Sequence, residues 1–181
     1  YQNGVATVWS GASGAKIREW DGTLERGLFG HWVMPIADID GDALADVVVA
    51  APQAMADDEM HGVVEAHSPK SGKALWRMTA ERQEMLGWDM DLAGDQNGDG
   101  KTDLFVGSPC EKGGRVYLVS GKNGSLLRSY EPPTIHPSFG WYVASVDDVD
   151  ADGKRDLLVG NVQGGQAPDV PPSEVFLISS S

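Results

Sequence analysis

The sequence predicts an all-β protein built from repeated units of about four antiparallel strands, and three observations carry that expectation. A block recurs three times without gaps: "FGHWVMPIADIDGDALADVVVAAP" from Phe29, "LGWDMDLAGDQNGDGKTDLFVGSP" from Leu86 and "FGWYVASVDDVDADGKRDLLVGNV" from Phe139. Each block passes from a cluster of acids straight into a short apolar run rich in valine, the signature of a buried strand. No stretch keeps a 3.6-residue apolar period, whereas alternation such as Val116 and Leu118 recurs.

The elements follow in chain order. The chain opens with "GVATVWSGASGAKIREW" from Gly4, which matches "GVVEAHSPKSGKALW" from Gly62 and "GRVYLVSGKNGSLLRSY" from Gly114. Each reads as two strands joined by a tight turn, with Ser71-Gly72 and Asn123-Gly124 as turn dipeptides. The recurring block supplies two more strands on either side of its acidic loop. A period of about 50–60 residues with four strands predicts the radial blades of a β-propeller. The repeat units are approximately 29–85, 86–138 and 139–181, and 1–28 holds the last two strands of a preceding unit. "SEVFLISSS" from Ser173 matches only the first half of the hairpin, so strands Gly4–Ser10 and Ser173–Ser179 are equivalent third strands. Propellers have at least four blades as a rule. These roughly three repeats are therefore expected to form part of a larger propeller or assembly. Their open edges would pair with the remaining blades of a parent chain or with further copies of the chain. Tyr1 in place of Met fits a mature or excised product.

The acids fall at alternate positions, where a tightly curled loop aims successive side chains inward. With oxygen ligands at loop positions 1, 3, 5, 7 (a backbone carbonyl) and 9, the first loop offers Asp38, Asp40, Asp42, Leu44 and Asp46. The second offers Asp95, Asn97, Asp99, Lys101 and Asp103, and the third Asp148, Asp150, Asp152, Lys154 and Asp156. An all-oxygen set of variable geometry suits Ca²⁺ better than Mg²⁺ or Zn²⁺. Three Ca²⁺ sites are the expectation. A helical EF-hand would need glutamate at position 12, where this chain has Val49, Val106 and Val159 inside apolar runs. A plain Asp/Asn/Gly turn explains one such loop, but not three in one register.

The "FG" pair, the DxDxDGxxD loop and the closing "VVVAAP" or "VGSP" resemble the FG-GAP repeat of integrin alpha chains and many bacterial surface proteins. The resemblance covers nearly the whole chain. It implies a calcium-stabilised β-propeller with the metal loop between the first two strands of each blade. It also implies an extracellular, periplasmic or cell-surface location. Three departures stand out: Ala43 where the other loops have Gly100 and Gly153, Leu86 in place of phenylalanine, and "VGNV" without its proline. If position 43 requires positive φ, alanine there weakens the first site.

The remaining residues narrow the function. With 27 acidic against 14 basic residues and a net charge of −13, the chain is no nucleic-acid binder. No apolar run approaches the ~20 residues of a membrane span, so membrane insertion is not expected. Cys110 is the only cysteine, so there is no internal disulfide, and it reads as a small loop residue. Trp9, Trp20, Trp32, Trp76, Trp88 and Trp141 read as packing between blades rather than a sugar-stacking surface, with Trp88 equivalent to Trp141 and Trp20 to Trp76. His31, His61, His67 and His136 lack metal-ligand spacing and read as surface or packing residues. There is no nucleophile elbow, phosphate loop or CxxC motif.

The repeats differ most at Pro52–His61, Ser108–Gly113 and Asn161–Pro172, between the second and third strands. These connections belong on the face opposite the metal loops, where the resemblance places ligand recognition, though no residue there identifies a ligand. Three functions follow. The first is a calcium-binding scaffold for protein or glycan binding or adhesion. The second is the propeller part of a secreted polysaccharide lyase or phospholipase-like enzyme. The third is a structural subunit that assembles through open strand edges.

Overall fold

A computed structural model describes residues 3–24, 26–56, 59–81, 83–110, 113–132, 138–161 and 173–180. His136 and most of the connection 161–172 lie outside the described residues, as do parts of the other two variable connections. The described chain is all-β, and it divides into two compact units.

The first unit is Tyr1–Gly87 with the turn Gly121–Gly124. It begins with an antiparallel pair, β1 (Val5–Trp9) and β2 (Lys16–Asp21). The strands β3 (Trp32–Ile36) and β4 (Asp46–Ala51) come next, then the short pair β5 (Met55–Ala56) and β6 (Glu59–Met60), then β7 (Val63–His67) and β8 (Ala74–Thr79). The main sheet has the antiparallel order β3-β4-β7-β8, a meander in which each strand pairs with its sequence neighbour once the small β5–β6 hairpin is set aside. That hairpin occupies one of the variable connections and had no sequence signal, because two-residue strands carry no periodicity. Its core joins Ala6, Trp20, Phe29, Val49, Ala51, Ala54 and Val63.

The second unit, Trp88–Ser120 and Ser125–Ser181, repeats the design. Strands β9 (Met90–Gly94), β10 (Asp103–Ser108), β11 (Arg115–Val119) and β12 (Leu126–Tyr130) form one antiparallel meander. Strands β13 (Tyr142–Val146), β14 (Asp156–Gly160) and β15 (Val175–Ile178) form a three-stranded sheet in the same order. The second strand, β4, β10 or β14, is an inner strand of its sheet. Every residue of β10 is buried, which is why the valine-rich runs show no alternation.

The "FG" pair has a steric cause. Phe29, Leu86 and Phe139 are buried. In the first unit, Gly4 and Gly62, which lead into β1 and β7, form parallel bridges to Phe29 and Leu86. The next glycine turns the chain at positive φ, +87° at both Gly30 and Gly87. A Cβ on Gly87 would lie 2.7 Å from Ala50 Cβ and 2.8 Å from Val64 Cγ2. Leu86 therefore does the work of a phenylalanine without changing the local geometry.

The tryptophans need correction. Trp20 pairs with Ala6 and Trp76 with Ala66, so the two stand two residues apart in register and are not equivalent. Two residues along a strand keep a side chain on the same face, and both indoles reach a turn carbonyl. Trp20 Nε1 donates to Gly72 O at 3.0 Å and Trp76 Nε1 to Gly121 O at 2.8 Å. In the second unit Tyr130, which pairs with Val116 as Trp20 does with Ala6, donates its hydroxyl to Ser180 O. Trp20 and Trp76 are buried as packing residues, but Trp9 is 60% and Trp32 37% exposed. Trp88 and Trp141 meet with ring centroids 4.6 Å apart. His61 bonds Ala80 O, and His67 is buried against Glu65.

Candidate metal centres

Each acidic loop joins the first strand of its sheet to the second, between β3 and β4, β9 and β10, and β13 and β14. One hydrogen-bond pattern shapes all three. The carboxylate at position 1 gathers backbone N–H groups from the turn it starts. Asp38 Oδ1 accepts from Gly41 at 2.7 Å and Asp42 at 3.2 Å, and its Oδ2 from Ala43 at 2.8 Å. Asp95 does the same with Gly98, Asp99 and Gly100, and Asp148 with Ala151, Asp152 and Gly153. Positions 3 and 5 each accept from the N–H two residues on: Asp40 from Asp42, Asn97 from Asp99, Asp42 from Leu44, Asp99 from Lys101 and Asp152 from Lys154. Alternate side chains thus lie inside the curl because each caps the next turn of backbone.

Such a curl needs left-handed backbone at positions 4 and 6. Gly41, Gly98, Gly100 and Gly153 supply it. Ala43 (φ 70°) and Ala151 (φ 65°) are forced into it. The sequence comparison anticipates the first alanine and misses the second.

Position 9 is the buried root of the loop. Asp46, Asp103 and Asp156 are each 0% exposed and open the second strand. One oxygen of each accepts an N–H at 2.8 Å from the loop's second residue: Ile39, Gln96 and Val149. Asp156 Oδ1 is also satisfied, by Ser180 N at 3.0 Å. Asp46 Oδ1 is buried with no donor among the described residues. Burial first, and then the charges of Asp40, Asp42 and Asp38, push the Asp46 carboxyl above the usual aspartate range. The position-1 carboxylates go the other way. The Gly100 N–H holds Asp95 low and the Gly153 N–H holds Asp148 low, each with help from the neighbouring amides.

Ligand atoms of Asp38, Asp40 and Asp42 lie within 4.8 Å of one another, as do those of Asp148, Asp150 and Asp156. In the second loop Asn97 replaces one carboxylate, and its amide donates to Asp99 Oδ2 at 3.3 Å. The position-7 residues Leu44, Lys101 and Lys154 donate their own N–H to position 5, which holds the backbone just before the position-7 carbonyl. Asp46 and Asp152 stand outside these clusters, and the grouped carboxylates of the first and third loops are a donor set that fits Ca²⁺. Two residues outside the acid pattern also hold the first loop. Ser68 Oγ donates to Asp42 Oδ2 at 3.2 Å and Lys70 Nζ to Asp42 O at 2.7 Å. Their recurrence as Ser120 and Lys122 was the available signal.

Residues 95–159 match the FG-GAP-like repeat and residues 29–67 the FG-GAP repeat. Human integrin alpha-6 is 29% identical over 155 residues, which is 79% of this chain and 13% of that protein. Drosophila melanogaster integrin alpha-PS3 is 28% identical over 176 residues, 88% of this chain and 16% of that protein. The chain thus spans less than a fifth of either relative. Among solved structures, the Dos1 propeller superposes with a TM-score of 0.54 at 10% identity, over 88% of this chain and 37% of that one. A Bacillus licheniformis rhamnogalacturonan lyase superposes with a TM-score of 0.55 at 12% identity, over 97% of this chain and 40% of that one. At such identities the likeness is one of fold.

Proposed function

The chain belongs to the FG-GAP repeat β-propellers of integrin-alpha type, and from that premise we propose that it is a calcium-stabilised propeller scaffold for protein or glycan binding at the cell surface or in the extracellular space. Each of the three loops binds one Ca²⁺. The observation that carries this reading is the close grouping of Asp38, Asp40 and Asp42 and of Asp148, Asp150 and Asp156, with the buried carboxylate of Asp46 at the root of the first loop. The shared capping pattern extends it to the second loop, and the integrin alpha relatives support the location and the adhesive role. Ligands are recognised on the variable face. The outer edges of β1 and β15, which pair with no strand among the described residues, join further blades or copies.

Thermal melting in chelator and then in millimolar calcium, with native mass spectrometry, tests the reading. A site filled at a hundredfold excess over Kd stabilises by about 2.7 kcal/mol. An unchanged midpoint together with a metal-free native mass would overturn it. The lyase neighbour brings no catalytic argument, because its likeness is confined to the fold.

A further inference from the structure

In the second unit one buried side chain ties two acidic loops together. The two sheets of this unit meet along their first strands, β9 and β13, through carboxylates rather than backbone pairing. Asp89 takes the Met90 N–H on Oδ1 at 2.9 Å and the Val143 N–H on Oδ2 at 2.8 Å. Asp91 takes the Leu92 N–H on Oδ1 and the Ser145 N–H on Oδ2, both at 2.8 Å. Gln96 continues this row of stitches where β9 runs into the second loop.

Its backbone N–H goes to Oδ2 of Asp103, the position-9 carboxylate of the same loop, at 2.8 Å. Its side-chain amide donates to Ala93 O and to Arg155 O, both at 2.8 Å. Arg155 stands between Lys154 and Asp156, at positions 7 and 9 of the third loop. Ser180 completes the link. Its hydroxyl lies 2.7 Å from Arg155 O and 3.0 Å from Gln96 Oε1, and its N–H goes to Asp156 Oδ1 at 3.0 Å. Both amide hydrogens of Gln96 thus meet carbonyls while its oxygen meets a hydroxyl, so the side chain has one orientation. Gln96, Ser180, Asp103 and Asp156 are all buried. At the place of Gln96 the first and third loops have Ile39 and Val149, which carry no polar side-chain atom.

We propose that Gln96 couples the second and third loops, so that a cation bound in one raises the affinity of the other, while the first loop fills on its own. The inference rests on the calcium reading of the loops and adds an order to their filling. An ion in the second loop fixes Asp103, and with it the residue whose amide grips the chain between positions 7 and 9 of the third. Part of the ordering that the third loop must undergo is then complete before its own ion arrives. The effect is reciprocal, because an ion on Asp156 fixes Ser180 and the Arg155 carbonyl, and so Gln96. Repulsion between the two ions opposes this, but it acts with or without the Gln96 amide and is screened by salt.

The test is a calcium titration of the isotope-labelled full chain. The amides of Gly41, Gly98 and Gly153 report the three loops, and native mass spectrometry counts the ions. Asp99→Ala, which takes a carboxylate from the second loop, should weaken calcium binding at the third about fivefold and leave the first unchanged. Asp152→Ala should weaken the second loop by the same factor. Gln96→Met keeps the backbone N–H and nearly the same volume but removes the amide, and in that background both cross-effects should fall below about twofold. Ser180→Ala breaks the link from its other side and should reduce them as well. Cross-effects that are equal with and without the Gln96 amide, or absent from the parent chain, would overturn the coupling and leave the calcium reading standing. A chain that takes up no ion in millimolar calcium would remove both.

Discussion

Ala43 and Ala151 hold the two different left-handed positions of one loop design. Ala43 stands at position 6 of the first loop with φ 70°, and Ala151 at position 4 of the third with φ 65°. In each case the other position is glycine, Gly41 or Gly153, so each of these loops carries one strained residue and the second loop none. The strain of a non-glycine residue here is about 1–2 kcal/mol, and glycine returns part of that through its extra freedom in the unfolded chain. Ala43→Gly and Ala151→Gly should each stabilise the calcium-free protein by about 0.5–1 kcal/mol in denaturant titrations. Loss of stability in both variants would contradict the strain argument.

Asp46→Asn should have opposite effects with and without calcium. In chelator it removes a buried charge that faces three other acids, a gain of about 1 kcal/mol. In calcium it removes one ligand charge, so the calcium-induced rise in melting temperature should shrink and one ion should leave the native mass. A variant that is less stable in chelator as well would show that Asp46 is held by something other than the proposed cation.

Glu65 gives the first unit an acid-labile contact. His67 Nε2 at 2.9 Å holds its carboxyl below the usual glutamate range, and the charges of His67 and Arg77 add to the effect against the opposing cost of burial. Arg77 itself lies 3.2 Å away. A lowered folded pKa means that this stabilisation is complete above the unfolded pKa, about 4.3, and is lost as pH falls through the folded value. Glu65→Gln should cost about 1–2 kcal/mol at neutral pH and reduce the further loss of stability on acidification below about pH 4. Parallel pH–stability curves for the two proteins, measured in chelator, would refute it.

Two glycine substitutions separate backbone strain from collision. Gly98 (φ +79°) faces open space, whereas Gly87 (φ +87°) would drive a Cβ against Ala50 and Val64. Gly98→Ala should cost about 1 kcal/mol from strain alone. Gly87→Ala should cost about 2–4 kcal/mol, because overpacking adds about 1–3 to the strain. Equal losses in urea titrations would mean that the surrounding sheet yields.

What could be read in advance follows from what repeats. The four-stranded sheets were legible because the same apolar runs and turn dipeptides recur, and the loops because acids at alternate positions have one economical geometry. Features found in a single copy were not legible. The β5–β6 hairpin has strands too short for any period, and Ala151 replaces a glycine at a position the quoted DxDxDG signature leaves unspecified. The Asp89 and Asp91 stitches look like ordinary strand polarity until β13 is placed beside them. Trp20 and Trp76 were misaligned because matching by residue type ignores register, and the pairing with Ala6 and Ala66 decides it.

The capping by Asp38, Asp95 and Asp148 bears on ion selectivity. Their N–H···O bonds shape each loop without any ion, so under the calcium reading proposed above a cation would enter a loop that is already curled. Mg²⁺ needs oxygens at about 2.0–2.1 Å, against about 2.3–2.6 Å for Ca²⁺, and could tighten the loop only by breaking those bonds. On that reading, the aspartate that gives up the most freedom to its own backbone would also be the one that favours the larger ion, because the loop would resist shrinking.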